Sequence, residues 1–193
     1  MGQRLHRVHS TDLHRLPRPD GEAPWAAAAD NHWGFCGVVV TVDRSLRGYG
    51  LISPAVNVPR DHPQAGGPIT EGAAVLMELH TADIPVAPRN PIARHLLRGL
   101  AAHLVRQRVE CLEAFGTRGP VSPTLPPVDW LEHEGFRIVR DSPTRPRLCL
   151  ELGHTLRLPD LVGWWQRLWV PLTGPTNPEP AGRVSEPAGV ARP

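Results

Sequence analysis

Two polar side chains that exchange protons stand two residues apart in an otherwise apolar segment. Glu78 and His80 lie within the run Leu76-Met77-Glu78-Leu79-His80. A strand alternates its side chains between two faces, so it would place Glu78 and His80 together and Met77 and Leu79 opposite them. A carboxylate beside an imidazole is a candidate general base. The alternative is the polar, open face of an ordinary half-buried strand.

Three other groups have chemistry that a site could use. His133, in a short predicted helix, is either a proton donor or a solvated surface side chain. Glu113, near the end of a predicted strand, either lines a cleft or pairs with an arginine, and Cys111 in the same strand has the usual features of a buried structural thiol. All 21 basic residues are arginines, which excludes a Schiff-base lysine or a P-loop lysine.

The cysteines argue against a metal site. Cys36, Cys111 and Cys149 are odd in number and far apart in the sequence, with no Cys-x-x-Cys pair. This spacing predicts neither a disulfide framework nor a zinc site, and it favours a reducing compartment. We therefore expect no metal.

The elements that must position these groups alternate between the periods of strand and helix. Period-two and β-branched runs predict seven strands, at residues 4–9, 36–42, 47–53, 73–83, 109–115, 136–139 and 148–152. Apolar spacing of the helical kind predicts helices at residues 26–29, 92–106, 128–134 and 158–172, the first of which stops near Gly34. Residues 43–45 predict the turn of a hairpin between the second and third strands, and the Pro- and Gly-rich residues 16–24 and 54–70 predict loops. The strand–helix–strand order of residues 73–115 predicts a parallel pair joined by a right-handed crossover. The fold class is therefore α/β with a mixed sheet.

Composition favours one soluble domain. With 40% hydrophobic and 21% charged residues, the 193-residue chain can bury a core. We assign residues 1–172 to the domain and expect the Pro-, Gly- and Ala-rich residues 173–193 to be a disordered tail. The chain shows neither an apolar secretory segment nor a run long enough to span a bilayer, so we expect a cytoplasmic protein.

The order and spacing of several motifs resemble a known family. They are Trp33-Gly34-Phe35-Cys36-Gly37, Gly48-Tyr49-Gly50-Leu51, Leu112-Glu113-Ala114-Phe115-Gly116 and Gly135-Phe136-Arg137-Ile138-Val139. Over roughly residues 12–170 the chain resembles GNAT N-acetyltransferases of an actinobacterial branch. The resemblance implies a GNAT-like mixed, mostly antiparallel sheet with a central splayed parallel strand pair and flanking helices. It also implies acetyl-CoA (coenzyme A) as cosubstrate, with the pantetheine arm in the gap between the two parallel strands.

The resemblance places the cofactor at the start of the 92–106 helix. The family turn, Arg/Gln-x-x-Gly-x-Gly/Ala, falls on residues 88–93, where Pro88 and Pro91 replace two of its residues. Proline fits the first turn of a helix but has no N–H for a phosphate. The implied cofactor-binding residues are Ile84, Val86, Arg89, Asn90, Ile92, Ala93 and Arg94. The N–H groups of the last three are expected to be free for the pyrophosphate, and the alternative is a helix start that binds no cofactor, or binds it weakly.

Two functional readings follow from the resemblance. The first is an acetyl-CoA-dependent N-acetyltransferase that acts on a small-molecule amine or a protein amine, with Glu78 and His80 as its base. The second is a catalytically inactive GNAT-like binding or regulatory module, which Pro88, Pro91 and the absence of a tyrosine on the 128–134 helix favour. Nucleic-acid binding is less favoured, because a net charge of +2 is weak and the arginines of residues 94–108 fit a solvated face. No membrane partner is expected, and a homodimer is compatible with the sequence.

Overall fold

The structure, a computed structural model, describes residues 2–18, 23–65, 70–82, 85–119, 122 and 125–155. Its strands are β1 Gln3–Val8, β2 Gly37–Val42, β3 Ser45–Pro54, β4 Ala74–Thr81, β5 Cys111–Phe115, β6 Arg137–Arg140 and β7 Arg147–Glu151. Its α-helices are α1 Pro24–Trp33, α2 Pro91–Arg106, α3 Val128–His133 and α4 Leu152–Thr155, with short 3-10 helices at Ser10–Arg15 and Ala55–Asn57. The predicted 158–172 helix and the predicted tail lie outside the described residues.

The seven strands form one sheet in the order β1-β2-β3-β4-β5-β7-β6. Every neighbouring pair is antiparallel except β4 and β5, which run parallel. The predicted crossover through the 92–106 helix therefore exists as α2. The sheet consists of two antiparallel blocks, β1–β4 and β5–β7, that meet at the parallel pair.

The β2–β3 hairpin closes through Asp43 and Arg44, which both have positive φ, at 49° and 69°. Val42 pairs with Ser45 across this two-residue loop. Two successive residues with positive φ are what a type I′ turn requires, and such turns match the twist of the strands they join. The predicted turn and hairpin are confirmed.

Helix α2 packs on one face of the sheet, against β2, β3 and β4. Two glycines of β3 allow this close approach, since a Cβ at Gly50 would lie 2.9 Å from Leu100 Cδ1 and one at Gly48 would lie 3.1 Å from side-chain atoms of Ile92 and Leu96. The apolar positions Leu96, Leu100 and Leu104 of α2 are fully buried. The helical period seen in the sequence thus identified the face that contacts the sheet.

Helix α1 covers the opposite face and packs against β3. It buries Trp25 and Trp33, and it ends at Gly34, whose φ of 74° is the left-handed conformation that commonly terminates a helix. The sequence predicted a helix that stops near this glycine. What it did not predict is that the helix begins at Pro24, within the stretch of residues 16–24 predicted as loop.

Two expectations about the strands are wrong. Strict alternation along β4 fails because the register with β3 shifts: Leu51 lies opposite Glu78 and Ile52 opposite Leu76, so Met77 is an extra, bulged residue. Cys111 and Cys149, which we expected to be unpaired, form a disulfide between β5 and β7. Sequence separation hid this pair, since strand pairing brings together residues that are far apart along the chain.

Candidate functional site

The parallel strands β4 and β5 pair at their beginnings and then part. Their register holds only two residue pairs, Ala74 with Leu112 and Val75 with Glu113. From Leu76 to Thr81, β4 remains paired to β3 on one side, while no strand of the described part of the chain pairs with its other edge. Such an edge leaves backbone N–H and C=O groups unpaired by the sheet. The predicted splayed pair is therefore present.

The bulge at Met77 lies just after the point where the strands part. A β-bulge adds a residue to one strand and increases the local bend and twist. Because of this extra residue, Val75 and Glu78 lie on the same face of the sheet. Their cross-strand partners in β3 are Ser53 and Leu51. No residue type in the Leu76–His80 run signals a bulge, which explains why the sequence did not predict it.

Gln64 occupies the matching edge of β5. The peptide groups of Glu113 face β4, since Glu113 pairs with Val75, and those of Phe115, two residues further on, point to the same edge. The Phe115 N–H donates to Gln64 Oε1 at 2.7 Å. A side chain therefore takes the position where the β4 backbone would continue the ladder. The sequence predicted Gln64 to lie in a surface loop, whereas in the structure Gln64 is only 1% exposed.

The start of α2 lies at the open end of the parted strands. Asn90, the N-cap, donates from Nδ2 to Thr81 Oγ1 at 3.1 Å, which ties the helix to the last residue of β4. Its Oδ1 accepts from the N–H groups of Ile92 and Ala93 at 2.9 and 3.0 Å. The Arg94 N–H donates to the Asn90 carbonyl. Our expectation that these three N–H groups are free is wrong, because Asn90 occupies all of them.

The arginines around this helix start differ in their partners. Arg94 donates from Nε to Glu134 at 2.8 Å and from Nη2 to the Pro88 carbonyl at 3.3 Å, so a carboxylate offsets its charge. Arg89 is exposed, and the described residues offer it no ion pair. Of the two predicted phosphate-binding side chains, Arg89 is the one whose charge faces solvent.

The remaining predicted cofactor residues lie before the helix. Val86 is half-buried and packs against the core. Ile84 lies outside the described residues, so its role stays a prediction. Thr81 and Pro85, which flank this stretch, both accept hydrogen bonds from Asn90 Nδ2. The connection between β4 and α2 is thus organised around one asparagine.

Glu78 is held by a buried arginine. Arg18 Nη2 lies 2.6 Å from Glu78 Oε1, and Arg18 Nε lies 3.1 Å from both carboxylate oxygens. The two side chains are only 5% and 13% exposed. The face of β4 that carries Glu78 is therefore covered rather than open, and any proton transfer to Glu78 requires Arg18 to release it.

His80 lies on the same face, beside an aromatic ring. Its imidazole stacks on Tyr49, with ring centroids 5.2 Å apart and an interplanar angle of 25°. The Tyr49 hydroxyl donates to the Pro17 carbonyl at 3.4 Å. Trp25 of α1 meets His62 edge to face at 6.1 Å, and the Arg18 guanidinium lies 5.6 Å from the Trp25 ring. The candidate base thus faces a surface of aromatic rings and ion-paired groups.

The other sequence candidates do not join this group. His133 is exposed at the end of α3. Glu113 is fully buried, forms an ion pair with Arg147 and accepts from the Thr70 N–H at 2.8 Å. Cys111 is in the disulfide. For Glu113, the structure favours the arginine partner over a cleft-lining role.

Four residues of the site were missed from the sequence. Arg18 and Gln64 lie in stretches predicted as loops, and Met77 was assigned to a regular strand. Arg145 lies in the proline-rich connection between β6 and β7, and its guanidinium lies 4.3 Å from the centroid of the Phe115 ring. No local pattern marks any of them, because each acquires its role from a contact distant in sequence. Asn90 was found, but as a ligand residue rather than a cap.

Within the described ranges, no three His, Cys, Asp or Glu side chains form a group that could hold a metal ion. Nor does any described helix combine the length and the apolar character that crossing a bilayer demands.

No family model and no curated protein matches this sequence. Solved structures with similar folds do exist. The structure of yncA from Salmonella typhimurium with its cofactor acetyl-CoA aligns with a TM-score of 0.51 and 12% identity, covering 79% of this chain and 95% of that one. Ard1 from Thermoplasma volcanium aligns with a TM-score of 0.50 and 12% identity, covering 78% and 98%. With the parted β4–β5 pair, these alignments confirm the predicted GNAT-like fold.

Proposed function

We propose that this chain is an acetyl-CoA-dependent N-acetyltransferase that transfers an acyl group to an amine. The observation that carries the proposal is the parting of β4 from β5, with the start of α2 at the open end. The similar structure of yncA, solved with acetyl-CoA, supports the choice of ligand. The cytoplasmic location stays a prediction, and a homodimer stays compatible with the sequence.

The gap suits the pantetheine arm. This arm carries two amides, which require hydrogen-bond partners in a fixed extended arrangement. The edge of β4 from Leu76 to Thr81 is unpaired by any described strand and presents backbone donors and acceptors at strand spacing. Recognition by strand addition needs no particular side chain, so the edge keeps this capacity whatever residues β4 carries.

The phosphate end fits less well. Pro91 has no N–H, and Asn90 uses the N–H groups of Ile92 and Ala93. A pyrophosphate would have to displace the Asn90 carboxamide or rely on the exposed Arg89. Losing one hydrogen bond to a charged group costs about 1.5–3 kcal/mol, or roughly one to two decades in affinity. We therefore propose binding that is weak for this fold.

The groups that could transfer protons, Glu78 and His80, lie on the covered face of β4. An acceptor amine attacks as the neutral base, so it must lose a proton, and the departing thiolate must gain one. His80 is half-buried and stacked on Tyr49, while Glu78 is bound by Arg18. In our proposal His80 accepts the proton of the amine, and Glu78 becomes a second acceptor when Arg18 is displaced. Water supplies the proton that the departing thiolate gains. The acceptor is a small-molecule amine or a protein amine.

A thermal-shift titration tests the proposal. Acetyl-CoA at 100 times its Kd would stabilise the native state by about 2.7 kcal/mol, which corresponds to a rise of roughly 5–10 °C for a chain of this size. ATP at equal concentration is the matched control, since it has the phosphates without the pantetheine arm, and it should shift the Tm less. Equal shifts, or no shift with acetyl-CoA, would contradict the proposal.

A second function has a specific observation in its favour. Asn90 occupies the N–H groups at the start of α2, and Arg18 occupies the Glu78 carboxylate. Both features fit a catalytically inactive GNAT-like binding or regulatory module. Such a module would show no shift with acetyl-CoA and no acyl transfer to any amine, so the same titration separates the two functions.

A further inference from the structure

Two arginines lie against one aromatic ring at the end of β5. The guanidinium carbons of Arg145 and Arg147 lie 4.3 and 5.1 Å from the centroid of the Phe115 ring. Arg145 also donates from Nη2 to the Ala65 carbonyl, next to Gln64. We call Gln64, Phe115 and Arg145 the Arg145–Gln64 cluster. Two side chains that can donate hydrogen bonds thus meet at one strand end.

The two arginine charges are not equivalent. Arg147 forms a buried ion pair with Glu113, so its charge is offset within the protein. Arg145 meets no carboxylate among the residues that the structure describes. Burial lowers the pKa of the Arg145 guanidinium, as expected for a cation moved from water without an anion beside it. One positive charge of the cluster therefore lacks a counter-ion.

The cluster also contains two unused donors. Gln64 Nε2 and Arg145 Nε are shielded from solvent, and neither finds a hydrogen-bond acceptor within the described residues. Gln64 itself is 1% exposed, and its Oε1 is fixed on the Phe115 N–H. Buried donors are almost always satisfied in native proteins, so a pair of unsatisfied ones indicates a missing acceptor.

The cluster lies beside the candidate site. Phe115 N–H points to the edge of β5 that faces the gap, two residues after the last pair with β4. Glu113 lies opposite Val75, whose side chain shares a face with Glu78, and Phe115 follows Glu113 by one strand period. The cluster and the Glu78–His80 pair thus occupy the same face of the sheet, on the two sides of the gap.

We propose that the Arg145–Gln64 cluster binds a carboxylate group carried by one of the two substrates. A carboxylate offers the acceptors that both donors lack, and its single negative charge matches the single uncompensated guanidinium. The Phe115 ring fixes the plane of that guanidinium. A phosphate, with more charge and more oxygens, fits one uncompensated cation less well. The source, either the acceptor amine or a dicarboxylic acyl group, rests on the proposed function.

Entry requires a small rearrangement. The bond from Arg145 Nη2 to the Ala65 carbonyl is 3.3 Å, long for an N–H···O hydrogen bond. An arriving carboxylate would replace this weak neutral acceptor with a charged one. In our proposal the carboxylate displaces the Ala65 carbonyl from Arg145 Nη2, and the two unsatisfied donors gain their acceptor.

The experiment compares matched probes that differ in one carboxylate. In the amine arm, dissociation constants are measured by NMR for β-alanine and its neutral amide, β-alaninamide. In the acyl arm, they are measured by calorimetry for succinyl-CoA and acetyl-CoA. We expect the carboxylate member of at least one pair to bind about tenfold to a hundredfold more tightly. Preference in the amine arm assigns the carboxylate to the acceptor, and preference in the acyl arm assigns it to the acyl group.

Variants locate the preference. Arg145→Gln should remove it, and Gln64→Glu should remove it by placing a carboxylate inside the cluster, which also serves if Arg145→Gln fails to fold. Arg140→Gln, at an exposed arginine of β6, should keep it. Equal binding within both pairs, or a preference that survives Arg145→Gln, would overturn the proposal.

The amine arm needs no coenzyme A, so its result is independent of the proposed function. If acetyl-CoA fails to bind but β-alanine still exceeds β-alaninamide, the acetyltransferase proposal fails and the carboxylate site stands. If acetyl-CoA binds and neither arm shows a preference, the carboxylate site alone fails.

Discussion

At the scale of single residues, Asn90 has the most consequences. One carboxamide caps α2, holds the helix to Thr81 and closes the N–H groups on which a pyrophosphate would bind. An asparagine at an N-cap is among the most favourable choices for helix stability. Stability and cofactor binding therefore compete for the same two hydrogen atoms.

Asn90→Ala should change stability and affinity in opposite directions. Losing the cap should lower the free energy of unfolding by about 1–2 kcal/mol, or the Tm by roughly 2–8 °C. Freeing the N–H groups of Ile92 and Ala93 should strengthen acetyl-CoA binding at least about tenfold, since even one hydrogen bond to a charged phosphate contributes about 1.5–3 kcal/mol. Calorimetry and thermal melting measure the two effects.

The control is Asn90→Asp. Aspartate still accepts from the N–H groups of Ile92 and Ala93, but it cannot donate to Thr81 and Pro85, so the Tm should fall as in Asn90→Ala. Its negative charge should repel a pyrophosphate, so acetyl-CoA should bind more weakly than to the wild type. If Asn90→Ala instead weakens binding, Asn90 is itself a phosphate ligand, as the sequence suggested.

The residue scale is where sequence reasoning reached least far. The prolines at 88 and 91 correctly signalled a helix start, while the loss of phosphate binding that they imply stays a prediction. The Glu78–His80 pair was found by alternation, but its partner Arg18 was not, because the two are 60 positions apart. Local patterns cannot identify a contact whose two halves lie in different elements.

At the scale of elements, the edge of β5 is held open by a side chain. Gln64 binds the Phe115 N–H at the first position where β5 could continue to pair with β4. We infer that this bond helps to keep the two strands apart, since an unpaired edge N–H would otherwise favour ladder pairing. The loop before β4 is thus part of the gap.

Gln64→Ala should therefore expose the Phe115 amide. Without its acceptor, this amide should exchange with solvent deuterium at least about fivefold faster, which corresponds to losing a bond worth about 1 kcal/mol. Gln64→Glu keeps an oxygen acceptor and should preserve the protection. The Ala114 amide, which points to the opposite edge of β5, provides an internal reference in the same spectrum. Unchanged exchange at Phe115 in Gln64→Ala would show that the bond does not protect it.

Elements were predicted better than side-chain contacts. The sequence predicted seven strands, a central crossover helix and a terminating Gly34, because period and turn chemistry are local properties. It missed the bulge at Met77, since a bulge depends on the register with β3 and leaves no mark in residue type. The Cys111–Cys149 disulfide was missed because it depends on the pairing of β5 with β7, which brings together residues far apart in the sequence.

At the scale of the whole molecule, a buried histidine links stability to pH. His103 of α2 is 8% exposed and packs beside Phe35 at 5.2 Å. Burial, followed by the nearby charges of Arg7 and Arg106, lowers the pKa of His103 from 6.5 to about 4. Burial also lowers the pKa of His95, with Arg98 adding to the effect.

The native state should therefore lose stability in mild acid. Below pH 6.5 His103 is protonated in the unfolded chain but stays neutral in the folded chain. The free energy of unfolding should therefore decrease as the pH is lowered from 6.5 to about 4. The loss is on the order of 3 kcal/mol for this residue. Urea titrations between pH 7.5 and 4.5 measure it.

His103→Leu should flatten this dependence without abolishing it, because His95 contributes in the same direction. The exposed His133→Gln should keep the wild-type profile. A His103→Leu profile that falls as steeply as the wild type would show that the loss arises elsewhere.

The short parallel register has a mechanical consequence for the molecule. Two antiparallel blocks meet along a seam of only two residue pairs, Ala74 with Leu112 and Val75 with Glu113. Opening along this seam breaks these pairs and a few side-chain bonds, such as Gln64 to Phe115 and Arg94 to Glu134, which is less than unfolding either block. We therefore expect it to be the first sub-global fluctuation. A ligand bound between β4 and β5 would link the two blocks, so that they would unfold together as one cooperative unit.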